Sequence, residues 1–331
     1  MLLTALLIFG SFQKGRADCD VPSVTTVSGN QVPSGKICSG DLIFEDNFDE
    51  LNLKKWQHEV TLGGGGPMRL EKIFLYHGTL SLIGGIPVDQ CTNPQWYGCE
   101  RTGKPDSVLN PIKSARIRTV DSFSFKYGRV DVRAKLPGGD WLWPAIWLLP
   151  RYNQYSGWPA SGEIDIMESR GNKELKNGDG QNIGTQQVGS TLHFGPNYNY
   201  NRYEYAHFEK NNASGYDTNF HTYGMQWNPD NISFYVDDEV IGTDTGLENP
   251  WQRNTKMAPF DQEFYIILNL AVGGVNYFPD NADNPGGKPW LNGSPKASTD
   301  FWMGRDQWLP TWHLGTDDSH LQVDYVKIWA L

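Results

Sequence analysis

The chain has no excess of positive charge and no long apolar run. Its 331 residues include 28 Lys and Arg against 38 Asp and Glu, which gives a formal net charge of −10. Nucleic acids and anionic membranes bind basic faces, so this balance argues against either as a partner. The apolar run 2–9 is too short to cross a bilayer and no other run is long enough, so we expect no membrane-spanning segment.

The N-terminal apolar run instead predicts a secretion signal over residues 1–17. Gly15 and Ala17 are small residues at suitable cleavage positions, just before Asp18. Lys14 and Arg16 follow the apolar run, whereas a signal usually carries its positive charges before it. The alternative is a buried N-terminal segment. We expect a secreted, extracellular protein in which residues 18–331 form a single domain.

Cysteine is scarce, and its even number suits a secreted chain. Two disulfides are expected among the four cysteines, with three possible pairings. Proximity along the chain favours Cys19 with Cys38 and Cys91 with Cys99. No spacing of His and Cys indicates a zinc site. Three sequons for N-glycosylation also fit secretion, and they begin at Asn212, Asn231 and Asn292.

Helix-period patterns are scarce, whereas short alternating or β-branched runs recur between turn residues. Examples are the runs 129–135, 232–236, 264–272 and 321–329, and the chain holds 36 Gly and 20 Pro. This pattern predicts one all-β domain, either a sandwich or a barrel. Aromatic residues are abundant, with 13 Trp, 15 Tyr and 15 Phe. Many belong to the core, and some are expected to stack on a flat, neutral ligand such as a sugar.

The stretch GWPASGEIDIMESRGN (157–172) holds three acids in an apolar frame. In a regular strand Glu163 and Asp165 share one face, and Glu168 points to the other. A β-bulge at Met167 would reset the alternation and bring all three acids to the same face. The alternative is an amphipathic strand whose acidic face is solvated.

A shared face would suit glycoside hydrolysis. Carboxylates a few ångströms apart raise the pKa of at least one of them, so that one is ionised while another is protonated. With a bulge, the separation of Glu163 and Glu168 is compatible with the roughly 5–5.5 Å of a retaining pair. Asp165 would lie between them and hold the charge state of the nucleophile.

The motif SGEIDIMES resembles the catalytic signature of glycoside hydrolase family 16, in the bulged form typical of laminarinases. Within that family, the resemblance is to invertebrate β-1,3-glucanases and glucan-binding proteins. It covers nearly all of the mature chain, and the other matching stretches are LIFEDNFDELNLKKWQHEVTLGGGG (42–66), DQCTNPQWYGCERTG (89–103), YGRVDVRAKLPGGDWLWPAIWLLP (127–150), LNLAVGG (268–274) and LQVDYVKIW (321–329).

The resemblance implies a jelly-roll sandwich of two curved antiparallel sheets with a concave substrate groove. It assigns Glu163 as the nucleophile, Asp165 as its assistant and Glu168 as the general acid and then the general base. The implied reaction is double displacement with retention on β-1,3-glucan, without a metal or redox cofactor. A monomer is expected.

Five further residues match positions around the cleavage site of the family. Trp143, Trp147 and Trp158 match or adjoin groove tryptophans, although each could instead belong to the core. Arg116 and His193 match positions near the cleavage subsite, although a lone strand histidine is more often structural.

Asp324 matches a family position that can bind a structural Ca²⁺. The alternative is a surface acid, since a calcium site would need several further oxygens.

The chain departs from the family after Gly66, where PMRLEKIFLYHGTLSL replaces a longer stretch. A strand missing there would expose a sheet edge and open the groove. The leading functional hypothesis is a secreted endo-β-1,3-glucanase. The alternatives are a non-catalytic glucan-recognition protein of innate immunity and a hydrolase of another polymer. Retention of both Glu163 and Glu168 favours the enzyme.

Overall fold

The computed structural model describes residues 19–59, 70–71, 108, 112, 114–245 and 257–331. The described strands are β1 (Thr26–Ser28), β2 (Leu42–Asp46), β3 (Gln57–His58), β4 (Leu70–Glu71), β5 (Arg116–Arg118), β6 (Ser124–Lys126), β7 (Gly128–Lys135), β8 (Leu142–Pro150), β9 (Glu163–Ser169), β10 (Gln187–His193), β11 (His207–Asn211), β12 (His221–Trp227), β13 (Ile232–Val236), β14 (Glu239–Asp244), β15 (Phe264–Val272) and β16 (Gln322–Trp329). Two short helices, α1 (Ala297–Met303) and α2 (Arg305–Trp308), follow β15.

These strands form two antiparallel sheets, so the predicted all-β class is confirmed. Within the described residues, the larger sheet runs β1-β6-β15-β8-β9-β10-β11, with β3, β4 and β5 paired at its side. The smaller sheet runs β14-β13-β12-β7-β16-β2. The four runs chosen from the sequence correspond to β7, β13, β15 and β16, with ends that agree within one residue.

The core lies between the two sheets. Side chains from the larger sheet meet side chains from the smaller one, and both sets are almost fully shielded from water. Burial of apolar area at about 25 cal/mol per Å² is the main force that holds the two sheets together. The larger sheet contributes Ile146, Leu148, Ile164, Ile166, Met167, Ile266 and Leu268, and the smaller one contributes Val130, Val132, Met225, Trp227, Phe234, Val326 and Ile328.

A second apolar cluster, rich in tryptophan, packs at one end of the larger sheet. Trp141 lies edge-on to Trp290, and Phe301 of α1 stacks on Trp308 of α2 with ring centroids 4.4 Å apart. A polar network joins the loops of this end, because Asn284 donates to Asp140 and Asn172 donates to Asn284. Many of the abundant aromatics are therefore core residues, as expected.

The N-terminal segment is tied to the body of the protein. Cys19 and Cys38 form a disulfide with a Cα–Cα distance of 5.4 Å, which confirms one predicted pair. Cys91 and Cys99 lie outside the described residues, as does the predicted signal 1–17. The shortened stretch after Gly66 also lies outside them, apart from β4, which pairs with β15. None of the helices in the described ranges has the length and hydropathy that a bilayer crossing requires.

Candidate active site

Strand β9 carries the three acids and contains the predicted bulge. Trp147 of β8 pairs with Asp165, and Ile146 pairs with Met167, so Ile166 has no partner opposite it in β8. The register with β10 shifts at the same point. The extra residue is therefore Ile166 and not Met167, which corrects the expected position. Both of these side chains turn into the core, and Glu168 returns to the face that carries Asp165.

Glu163, Asp165 and Glu168 line one cleft on the outer face of the larger sheet. The other lining residues come from β8 and β15, and they are Trp143, Ala145, Trp147, Asn269 and Ala271. Small side chains at positions 145 and 271 leave space above the sheet, and the indoles form walls. The geometry of the strands thus brings the three predicted carboxylates together.

Two tryptophan side chains donate hydrogen bonds to the outer pair of acids. Trp143 Nε1 lies 2.8 Å from Glu168 Oε1, and Trp158 Nε1 lies 2.8 Å from Glu163 Oε2. Indole nitrogen is only a donor, so each contact fixes the position of one carboxylate oxygen as its acceptor. These two tryptophans, predicted as stacking residues, also orient the acids.

One face of the Trp143 indole is already occupied. Tyr277 stacks on it in parallel, with ring centroids 3.9 Å apart and an interplanar angle of 5°. The guanidinium of Arg170 lies 4.0 Å from the centre of the Tyr277 ring. This stack fixes the direction of the indole N–H, and a sugar can contact Trp143 only through its other face or its edge.

His193 of β10 compensates the negative charge at the centre of the cleft. Its Nε2 lies 3.2 Å from Asp165 Oδ2 and 3.9 Å from Glu163 Oε1. Its Nδ1 lies 2.7 Å from the side-chain amide of Asn201, so a side chain outside the cleft sets the ring orientation, and the amide presents its oxygen when Nδ1 carries a proton. The sequence therefore located a residue that contacts the acids, and its role is electrostatic.

The crowding of carboxylates raises the pKa of two groups in the site. For Asp165 the largest cause is burial, followed by the charges of Glu163 and Glu168. For His193 burial lowers the pKa, but the hydrogen bond to Asp165 and the surrounding carboxylates outweigh it and raise the pKa to about 9. Both groups hold protons more tightly because negative charge accumulates in a poorly hydrated site.

Arg116 and Trp147 form the support of the cleft beside the acids. Arg116 is 7% exposed, and its Nε lies 2.9 Å from the buried Glu59. Its guanidinium lies 4.5 Å from the Trp147 ring, and Trp147 donates to Asn269 Oδ1 at 2.5 Å. Trp147 is only 6% exposed, so it contributes a small part of the cleft surface.

One group of three potential metal ligands occurs within the described part of the chain. Atoms of Glu163, Asp165 and His193 lie within 4.8 Å of one another. The ion pair between His193 and the two acids already accounts for this arrangement. Asp324, the predicted calcium ligand, is exposed on β16 and forms an ion pair with Arg133. Calcium binding there stays a prediction, and it would require Asp324 to exchange this partner for the ion.

The predicted glycosylation sites lie at half-buried positions of the described chain. The side-chain amides of Asn231 and Asn212 accept local hydrogen bonds, and Asn292 Nδ2 donates to the carbonyl oxygen of Phe278. Attachment of a glycan leaves one hydrogen on this nitrogen, so the Asn292 contact is compatible with glycosylation. All three sites stay predictions.

Reasoning from the sequence missed four residues that shape the site, namely Glu59, Asn201, Asn269 and Tyr277. Asn269 could have been found from the sequence, because it is the one amide in the apolar strand FYIILNLAV. A buried amide in such a strand needs a hydrogen-bond partner. The other three lie on separate segments, and their proximity to the site follows only from the fold.

A family model of the glycosyl hydrolases of family 16 matches residues 101–292, more than half of the chain. The chain belongs to this family. A β-1,3-glucan-binding protein of Penaeus monodon is 44% identical over 338 residues, spanning 88% of this chain and 90% of the relative. β-1,3-Glucan-binding protein 1 of Galleria mellonella is 35% identical over 355 residues, spanning 94% of this chain and 68% of the relative.

A solved structure supports the same assignment for the fold. The laminarinase of Rhodothermus marinus superposes with a TM-score of 0.54 at 25% identity, covering 88% of this chain and 98% of the laminarinase. The expected jelly-roll sandwich is therefore confirmed. Membership of the family supports a function directed at glucans, with glycoside hydrolysis as the type of chemistry.

Proposed function

We propose that the protein is a secreted endo-β-1,3-glucanase that cleaves internal bonds with retention of configuration. The observation that carries this proposal is the bulged strand β9, which presents Glu163, Asp165 and Glu168 in one cleft. A purely structural strand gains nothing from three carboxylates on a partly buried face, since each desolvated charge costs free energy. A pair of carboxylates flanking a glycosidic bond is what retaining hydrolysis requires.

In the proposed reaction, Glu163 attacks the anomeric carbon and Glu168 protonates the departing glycosidic oxygen. Water, deprotonated by Glu168, then cleaves the glycosyl ester and releases Glu163. The indole N–H of Trp158 stabilises Glu163 as a leaving carboxylate in the second step, since it donates to Oε2. His193 and Asp165 retain a proton between them, which limits the negative charge beside Glu163.

The names of the relatives favour a second candidate function. Two invertebrate proteins, 44% and 35% identical to this chain, are named β-1,3-glucan-binding proteins. A recognition protein would bind the same polysaccharide, and its function would not need two carboxylates oriented by tryptophan donors. Both candidates imply β-1,3-glucan as the partner, and both fit an extracellular protein.

Reducing-sugar release from laminarin separates the two candidates. The wild-type protein is expected to release sugar, and Glu163→Gln is expected to lose nearly all release while retaining affinity for the polysaccharide. Glu50→Gln, at an exposed position after β2, makes the same chemical change away from the cleft and should behave as wild type. Folded wild-type protein that binds laminarin without cleaving it would support the recognition protein and reject the enzyme.

A further inference from the structure

Four tyrosines are displayed on the segment between β10 and β11. Tyr198, Tyr200, Tyr203 and Tyr205 are 68%, 58%, 40% and 59% exposed. Tyrosine rings normally bury most of their apolar area, so four exposed rings within eight residues are unusual. The reaction described above uses none of them.

Two of these rings continue the aromatic surface of the cleft. The Tyr198 ring lies 5.7 Å from that of Trp158, and the Tyr203 ring lies 5.5 Å from that of His193. Trp158 and His193 are themselves 5.6 Å apart. All three pairs are tilted by about 40°, so the rings form a curved surface and do not cover one another.

This surface connects directly to the catalytic acids. Trp158 donates to Glu163, and His193 contacts Asp165. A sugar chain that places one bond beside Glu163 therefore meets these rings as it leaves the cleft on the side of β10. We call Trp158, His193, Tyr198 and Tyr203 the tyrosine platform.

The segment that carries the tyrosines is held in place by hydrogen bonds. Asn197 Oδ1 accepts from the backbone N–H of Asn199, and the N–H of Arg202 donates to the carbonyl oxygen of Phe194 at 2.7 Å. Asn201 joins the segment to the ring of His193. A surface fixed in this way loses little conformational entropy on binding, which favours affinity for a ligand.

We propose that the tyrosine platform binds glucosyl units beyond the scissile bond and gives the protein its preference for long glucan chains over short ones. This inference rests on the proposed function, because it assigns the distal part of the same polysaccharide to the platform. Pyranose rings are neutral and present C–H faces to aromatic rings, and the exposed members of the platform are two uncharged phenols and an indole. An aromatic contact of this kind contributes about 0.5–1.5 kcal/mol, or roughly 2- to 10-fold in affinity.

The test is the dependence of affinity on chain length. Calorimetry compares a β-1,3-linked glucose disaccharide with the heptasaccharide, and every protein carries Glu163→Gln so that the sugar stays intact. In this parent protein the heptasaccharide is expected to bind more tightly. Tyr198→Ala combined with Tyr203→Ala should reduce that advantage by roughly 2- to 10-fold for each ring removed. Tyr198→Phe combined with Tyr203→Phe should keep the advantage, because both rings remain.

Tyr205→Ala is the matched control, since Tyr205 lies on the same segment with an exposure between those of Tyr198 and Tyr203 and does not belong to the platform. It should bind both sugars as the parent does. An unchanged advantage for the heptasaccharide in the double alanine variant, or an equal loss in Tyr205→Ala, would overturn the proposal. If the parent protein binds the heptasaccharide, β-1,3-glucan remains supported as the ligand, and the results with the tyrosine variants then test only the platform. If it binds neither sugar, the proposed function fails and the platform fails with it.

Discussion

Trp143 Nε1 donates a hydrogen bond to Glu168 Oε1 at 2.8 Å, and Tyr277 stacked on the indole fixes its direction. Trp143→Phe keeps a ring for Tyr277 to contact but removes the donor. We expect kcat on laminarin to fall about 10-fold or more, because Glu168 becomes a carboxylate as it gives up its proton, and a hydrogen bond to a charged group is worth about 1.5–3 kcal/mol. Trp302→Phe, a half-buried tryptophan of α1, is the control and should keep full activity. Equal kcat values in the two variants would contradict a role for this hydrogen bond.

The bulge in β9 makes a deletion informative. Because Ile166 has no partner opposite it in β8, its removal would leave Asp165, Met167 and Glu168 opposite Trp147, Ile146 and Ala145 in unbroken register. The acids would still share one face, since a regular strand alternates with period 2. We expect this deletion variant to fold and to retain measurable glucanase activity. Loss of the buried isoleucine should lower the free energy of unfolding by about 2–4 kcal/mol.

Deletion of Ile164 is the matched comparison. This residue is equally buried, but it lies in the regular part of the strand between Glu163 and Asp165. Its removal places adjacent acids in register and drives one of them into the core, where an unpaired charge costs several kcal/mol. Urea unfolding and laminarin hydrolysis should show that this variant is unfolded or inactive. Similar behaviour of the two deletions would contradict the assignment of Ile166 as the extra residue.

The separate roles of Glu163 and Glu168 can be tested by chemical rescue with azide. In Glu163→Ala, azide can enter the place of the nucleophile and should give an α-glycosyl azide from an activated aryl β-glucoside. In Glu168→Ala, the glycosyl ester still forms on Glu163, so azide should release a β-glycosyl azide. The anomeric configuration of each product, read by proton NMR, assigns the roles. A β-product from the Glu163 variant would show that the two roles are exchanged.

The sequence was sufficient for the fold class and for the three acids, because both depend on local patterns. Short alternating or β-branched runs predicted β13 and β15 with their observed ends. The spacing of Glu163, Asp165 and Glu168 required a bulge if they were to act together. The identity of the extra residue in the bulge depends on the pairing of β9 with β8. The sequence of one strand does not contain the register of its neighbour.

The supporting residues could not be predicted, because they meet the site only through the fold. Glu59 and Tyr277 are distant in sequence from the acids, and neither belongs to a motif with a known chemical role. The sequence left Trp147 as either a groove residue or a core residue. Its burial against Arg116 favours a mainly structural role. Exposure likewise separates the tyrosines of the segment 198–205 from core aromatics of the same residue type.

The disulfide between Cys19 and Cys38 should stabilise the protein measurably. It closes a segment with a sequence separation of 19, and the backbone beside it bonds to the C-terminal Leu331. A loop of this length corresponds to about 3 kcal/mol of chain entropy in the unfolded state. We expect Cys19→Ser combined with Cys38→Ser to lose about this free energy of unfolding in urea while keeping its activity at low temperature. No change in the unfolding midpoint would contradict the expected contribution.

His193 should make stability depend on pH in a defined window. Its pKa is raised in the folded protein from the ordinary 6.5 to about 9, so the folded state holds the proton more tightly than the unfolded chain. The resulting stabilisation is fully present below pH 6.5 and is lost as the pH rises through 9. It amounts to about 3 kcal/mol at most. The free energy of unfolding of wild type should therefore exceed that of His193→Gln at about pH 6, and this difference should disappear by about pH 9.5.

The comparison with a variant is needed because Asp165 titrates in the same cluster, and its raised pKa also makes the free energy of unfolding fall as the pH rises. A raised carboxyl pKa costs stability as the pH rises, since the unfolded chain releases that proton first. His313→Gln is the control, because His313 is exposed and pairs only with the surface acid Asp318 among its described contacts. Its unfolding free energy should follow that of wild type between about pH 6 and pH 9.5. A constant difference between wild type and His193→Gln across the window would show that His193 holds no extra proton in the folded state.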